Sequence, residues 1–170
     1  MTSMSTLHES SDASQSPASL LTIALDYYGV HYELLEHRPT HTARAEARAV
    51  GVDPAEVAKT LVLATPNGYV RAVLPASHRL DLARARAFLR TDDVLLASEE
   101  MLAYDYPEFD LGAVPPVGGD RVDPVMVDRR TADREWTIFE AGVHNRSLRL
   151  KTADLVRVAD ASIADLCEAR

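Results

Sequence analysis

The sequence predicts a single α/β domain built on a mixed β-sheet. Three observations carry this. Helical and strand-like patterns are interleaved along the chain. A Pro66-Asn67-Gly68 turn separates two apolar runs, the signature of an antiparallel hairpin, so a purely parallel, doubly wound sheet is excluded. The length, 170 residues of which 46% are hydrophobic, suits one domain with a real core and is short for two.

The elements follow in order. Residues 1–17 are rich in Ser and close on Pro17; they bury little apolar surface and read as a disordered tail ahead of a domain over 18–170. Residues 18–28 read as a helix ended by Gly29, and 30–35 as a short strand running into a proline-bearing loop at 36–41. Thr42 is placed to cap an alanine-rich helix over 43–50, stopped by Gly51. Asp53-Pro54 opens a single helical turn. Residues 59–64 are a buried strand and 69–74 its hairpin partner. A helix over 81–89, a strand over 94–97 and a helix opening at Ser98 with acids in its first turn come next. Residues 106–124 hold four prolines and three glycines and form one long shaped loop. Strands at 125–128, 137–141 and 147–150 precede helices at 152–158 and 162–169. The lone cysteine, Cys167, falls in the last of these as a small core residue.

Composition narrows the function. No apolar run approaches the ~20 residues needed to cross a bilayer, and the N-terminus lacks the charged and apolar regions of a signal peptide. One cysteine cannot form an intrachain disulfide, so a cytoplasmic location is expected. The net charge of −8 argues against a general nucleic-acid coat. A local grip on one end of an RNA stays open. Sixteen of the eighteen basic residues are arginine, which leaves Lys59 and Lys151 as the only lysines.

Phosphate-binding glycine motifs and the G-x-S-x-G nucleophile elbow are both missing. His37 and His41 share one segment, but Pro39 between them opposes the helix that would make them joint metal ligands; no metal is expected. Lys59 opens a strongly apolar strand. Its ammonium either snorkels to water at the sheet edge or lies in a cleft, where it would hold a phosphate or polarise a carbonyl. Gly112-Ala113-Val114-Pro115-Pro116 is dense enough in stiff residues to hold backbone N–H groups as fixed donors, or else it is an ordinary surface turn. Phe139 to His144 carries a strand into a polar corner at Gly142.

These three features occur together and in this order in the YbaK/prolyl-tRNA-editing family, which the chain resembles over roughly residues 20–168. The resemblance begins at Glu36-His37 and runs through Val57-Ala58-Lys59-Thr60-Leu61-Val62. It continues at Val73-Leu74-Pro75, Arg79-Leu80-Asp81-Leu82, the G-x-x-x-P loop Gly112 to Pro116, Ala141-Gly142 and Asp154-Leu155. It implies a barrel-like mixed sheet surrounded by helices and hydrolysis of the ester joining an amino acid to the terminal ribose of tRNA, with no cofactor. It also implies that Lys59 contacts the terminal nucleotide and that the loop from Gly112 through Ala113, Val114 and Pro115 to Pro116 offers amides to the aminoacyl group. Thr60, Gly142 and His144 would complete the substrate pocket. The partner implied is the 3′ end of an aminoacyl-tRNA; an aminoacyl-tRNA synthetase is a further candidate. The chain departs from the family at Ala113 and Pro115, where Gly and Ser are common. It also departs at Leu35, where some members carry tyrosine, and at Ser147, where some carry aspartate. The amino acid therefore does not transfer. A binding module without catalysis and a hydrolase of another activated ester are the alternatives. Arg38, Arg44 and Arg48 are a possible acceptor-stem patch or simply a solvated helix face.

Overall fold

Local capping starts the elements where the sequence directs. The structure, a computed structural model, describes residues 16–169, so the expected tail over 1–15 lies outside the described residues. Helix α1 (Pro17–Tyr27) takes Ser16 as its cap and Pro17 in its first turn, which brings these two residues out of the expected tail and into the domain. After β1 (Tyr32–Glu36) comes α2 (Ala43–Val50), where the Ala45 N–H donates to Thr42 Oγ1 at 3.0 Å. Gly51 ends it at φ 77°, a left-handed conformation that costs glycine little. A 3-10 turn at Pro54–Glu56 closes a reciprocal capping box between Asp53 and Glu56.

The hairpin β2 (Ala58–Thr65) and β3 (Gly68–Pro75) is followed by α3 (Leu82–Leu89), β4 (Leu95–Leu96) and α4 (Glu99–Asp105). The long loop leads to β5 (Val125–Asp128), α5 (Arg129–Ala132), β6 (Trp136–Glu140), β7 (Arg146–Lys151), α6 (Thr152–Ala159) and β8 (Ser162–Ala164). Two sheets result. One is antiparallel, in the order β1-β7-β6; the other is mixed, in the order β4-β2-β3-β5-β8, with β3, β5 and β8 parallel. They meet at a parallel bridge between Val57 and Ile138. The expected barrel-like mixed sheet is thus two sheets joined at one corner without full closure.

The expected C-terminal helix over 162–169 does not form; the segment holds the short strand β8 at Ser162–Ala164 and an isolated bridge from Cys167 to Leu80. Ile163, Leu166 and Cys167 sit at helical spacing, which suggests a helix, but Asp128 decides otherwise. This fully buried carboxylate accepts from the N–H groups of Leu166 at 2.7 Å and Cys167 at 3.2 Å. It holds the segment extended so that β8 pairs with β5. Its other oxygen accepts from Arg130 N–H at 2.9 Å and caps α5, a helix the sequence pattern did not reveal. Cys167 is buried as expected. Burial and the neighbouring Asp128 push its thiol up to about 12, so it stays protonated and is no nucleophile.

The long loop is held by one buried guanidinium. Arg71, on β3, is 1% exposed. Its Nη1 donates to the carbonyls of Pro115 at 3.0 Å and Gly118 at 2.9 Å, and its Nη2 to that of Arg121 at 3.3 Å. Its Nε meets Asp123 Oδ2 at 3.2 Å, and the Tyr106 hydroxyl donates to the same carboxylate at 2.7 Å. Removing the cation leaves Asp123 buried and three carbonyls unpaired. Arg71→Met is expected to cost about 3–5 kcal/mol of stability by urea denaturation, and adding Asp123→Asn should recover part of that loss.

Candidate functional site

Four segments converge at the corner where the two sheets meet. The segment from His41 through α2 contributes His41, Thr42 and Glu46; β2 contributes Lys59 and Thr60; the long loop contributes Ala113 and Val114; and β6 contributes Phe139 and Glu140. Together they line a narrow pocket. A wider groove adjoins it across His41 and is lined by Gly112, His144, Asp110 and Leu111. The sequence-derived candidates Lys59, Thr60, Ala113 and Val114 thus share one pocket, with Gly112 and His144 in the groove beside it.

The other candidates sit elsewhere. Pro115 is buried, and its carbonyl is held by Arg71; Pro116 lines a separate cavity against α1. Gly142 is a corner residue at φ 83°, where an added Cβ would lie 2.6 Å from Phe109. Its carbonyl accepts from Asp110 N–H at 2.9 Å. Gly142 therefore positions the loop from behind.

Lys59 is half-buried, and its ammonium makes no hydrogen bond or ion pair among the described residues. Burial pushes its pKa down; the nearby Cys167 opposes this, and the charges of Arg44 and Arg79 add to it. An ammonium in this position, with two guanidinium groups close by and no acid bound to it, is set up for an anion from outside. In the loop, the Ala113 N–H is used internally, donating to Asp110 O at 2.9 Å. The amides of Gly112 and Val114 have no protein acceptor among the described residues. Two of the three amides expected to face the substrate are therefore free.

A polar network lies behind the pocket. The His144 ring contacts Leu111 O through Nε2 at 2.8 Å and Glu140 through Nδ1 at 3.4 Å, and His144 N–H donates to Asp110 Oδ2 at 3.1 Å. It thereby ties the β6–β7 corner to the residues just before Gly112. The Thr40 hydroxyl donates to Glu140 Oε1 at 3.2 Å. Burial raises the pKa of Glu140; His144 and the Thr40 hydroxyl oppose this, and Asp110 adds to it. His41 stacks at a tilt on His144, with ring centroids 4.7 Å apart, while His37 turns towards Ser147. The two histidines that share a segment are thus divided between separate contacts.

Glu46 and Glu140 are pocket-lining side chains that are absent from the sequence-derived candidates. Glu46 is 1% exposed and accepts from the Ser147 hydroxyl at 2.6 Å. Burial pushes its carboxyl up to about 8; the Ser147 hydrogen bond opposes this, and the charge of Glu140 adds to it. A signal was available. Ala43, Ala47 and Val50 form the inward stripe of α2, and Glu46 stands on that stripe.

Comparison with known proteins converges on the same region. A family model described as the aminoacyl-tRNA editing domain matches residues 37–158. The chain belongs to the aminoacyl-tRNA editing domain family. The matched span contains every residue that lines the pocket, from His41 to Glu140. Among solved structures, a scaffold used for computational epitope backbone grafting is 27% identical, with a TM-score of 0.80, covering 91% of this chain and 98% of its own. A protein described as a candidate trans-editing enzyme for prolyl-tRNA synthetase is 26% identical, with a TM-score of 0.81, covering 90% and 98%. A third, described only as hypothetical, is 26% identical, with a TM-score of 0.80, covering 87% and 99%. Among the described residues of this editing domain, no helix is long and apolar enough to cross a membrane.

Burial of Glu46 makes stability depend on pH. Its ordinary value of 4.5 applies to the unfolded chain and about 8 to the folded one. Between these values the unfolded chain releases a proton that the folded domain keeps, so stability falls as pH rises through this window. Relative to Glu46→Gln, the wild-type domain should lose on the order of a few kcal/mol across that range, read from urea midpoints at a series of pH values.

Proposed function

We propose that this domain is a trans-editing deacylase, a hydrolase of the ester joining a wrong amino acid to the terminal ribose of tRNA. The observation that carries the reading is the half-buried ammonium of Lys59. It has no acidic partner among the described residues and stands in a pocket that Ala113 and Val114 also line, with Gly112 in the adjoining groove. An aminoacyl-tRNA 3′ end presents phosphate, ribose and an activated carbonyl close together. Lys59, with Arg44 and Arg79 nearby, would hold the anionic part. The free amides of Gly112 and Val114 are suited to the carbonyl oxygen as charge develops on it.

An aminoacyl ester is already activated, so positioning and a few fixed donors supply most of the catalysis. The reading therefore needs no triad. Protein-wide charge is no obstacle, because only the pocket has to attract the RNA terminus, and −8 overall discourages binding along the rest of the molecule. The likeness to a candidate trans-editing enzyme for prolyl-tRNA synthetase makes proline-specific tRNA mischarged with other amino acids the first ester to try.

The test is deacylation of a panel of mischarged tRNAs by the wild type and by Lys59→Ala. Hydrolysis of one or a few esters is expected, falling by about 100-fold or more in the variant. Full-rate hydrolysis by Lys59→Ala would remove the central residue. Failure of the folded wild type on every ester would make the domain a binding module. Equal activity on a short aminoacyl-nucleotide would favour a small-molecule esterase.

A further inference from the structure

The three side chains behind the pocket are joined in a way that restricts where their protons can be. His37 Nδ1 lies 2.7 Å from the carbonyl oxygen of Arg38. A carbonyl only accepts, so Nδ1 carries a hydrogen. His37 Nε2 lies 2.8 Å from Ser147 Oγ, and that same Oγ lies 2.6 Å from Glu46 Oε1. The hydroxyl has one hydrogen to give. If it donates to Glu46, Glu46 is a carboxylate and Nε2 must donate to the hydroxyl, which makes His37 an imidazolium. If it donates to Nε2, His37 is neutral and Glu46 must be protonated to donate in turn. Both arrangements contain the same number of protons and the same heavy-atom positions. They differ only in whether the mobile proton sits on Glu46 or His37.

We infer that Glu46 is the general base that takes a proton from the attacking water, and that Ser147 and His37 form the relay by which this proton leaves. The inference rests on the deacylase reading above and deepens it. Glu46 lines the pocket that holds Lys59, Ala113 and Val114, while His37 is the half-exposed end of the chain of bonds. Ser147, between them, is fully buried.

The chemistry balances. Once the mobile proton has left, Glu46 is a carboxylate that accepts from the Ser147 hydroxyl. Water attacks the ester carbonyl carbon and gives one hydrogen to Glu46. The bond to the ribose oxygen breaks, and that oxygen takes the second hydrogen of the water from the new hydroxyl. The amino acid leaves as a carboxylate. The proton on Glu46 then passes through Ser147 to His37 Nε2 and leaves to solvent from the imidazole, which restores the carboxylate.

The groups facing Glu46 set the working range. Glu140 on β6 discourages its ionisation, and the hydroxyl of Ser147 on β7 supports it. Lys59 on β2 and His41 line the same pocket, Arg44 lies on the same helix, and His144 is paired to Glu140. With Glu46 ionising near pH 8, the enzymatic rate, corrected for spontaneous hydrolysis, should rise through the neutral range towards that value.

The experiment compares the wild type, Glu46→Gln, Ser147→Ala and Lys59→Ala in two ways. First, deacylation is measured across pH. Glu46→Gln should be slower by about 100-fold and should lose the rise with pH, and Ser147→Ala should be slower by about 10-fold with KM unchanged. Wild-type rates and pH profiles in both variants, with folding checked by circular dichroism, would overturn the inference. Second, the ring 15N signals of His37 are followed across pH without substrate. In the wild type they should report the ionisation of Glu46 as a step near pH 8, and this step should vanish in Glu46→Gln. An identical His37 response in both proteins would overturn the relay whether or not any ester is hydrolysed. A wild type that hydrolyses no ester overturns the functional reading, and the base role with it, while the 15N comparison still decides the relay. Loss of activity in Lys59→Ala with an intact 15N step shows that the relay is independent of the clamp.

Discussion

A single buried cation organises the loop on which the site depends. Nineteen residues without regular structure separate α4 from β5, and such a segment would ordinarily wander. Arg71 prevents this by gathering the carbonyls of Pro115, Gly118 and Arg121 and the carboxylate of Asp123 around one planar guanidinium. The geometry suits arginine alone, since lysine has no fork to reach several acceptors at once. Because β3 carries Arg71 and pairs directly with β2, the loop is referenced to the strand that carries Lys59. The lysine and the loop amides thus belong to one rigid frame.

The second constraint is the burial of acids. Glu46, Glu140 and Asp128 are all largely withdrawn from water, and each is handled differently. Asp128 is satisfied by backbone N–H groups and serves architecture, turning the C-terminal segment into a strand. Glu140 is tied to His144 and Thr40 and fixes the corner next to Gly112. Glu46 has Ser147 to bond with but no cation within hydrogen-bonding distance, and its carboxyl is held far above the ordinary range. A group kept in a state that costs stability, beside a cleft, is where chemistry is to be looked for. The serine at a position where some family members carry aspartate then has a physical role. A second acid there would add charge beside Glu46, whereas a hydroxyl both donates and accepts.

Much of the fold was legible because its signals are local. Thr42 with Gly51, Asp53-Pro54 with Glu56, and the Asn67-Gly68 turn each act within a few residues, and each element formed where its cap or turn placed it. The exceptions have non-local causes. The segment at 162–169 has helical spacing, yet a carboxylate more than thirty residues away holds it extended. The mixed, barrel-like arrangement implied by the family resemblance takes the form of two sheets joined, among the described residues, at the Val57–Ile138 bridge, a long-range contact that no local pattern encodes.

The site divides along the same line. The sequence by itself determined that Lys59 opens a buried strand, that Gly112 to Pro116 is a stiff loop, and that the order of these features is that of the editing family. Strand patterning, proline and glycine act through neighbouring residues and can be read there. Only the tertiary structure decided that Pro116 and Gly142 lie off the pocket and that the Ala113 amide is consumed. It alone brought Glu46, Ser147 and His37, drawn from a helix, a strand and a loop, into one hydrogen-bonded line. Proton positions and pKa values depend on burial and on partners about a hundred residues apart, and no local pattern encodes either.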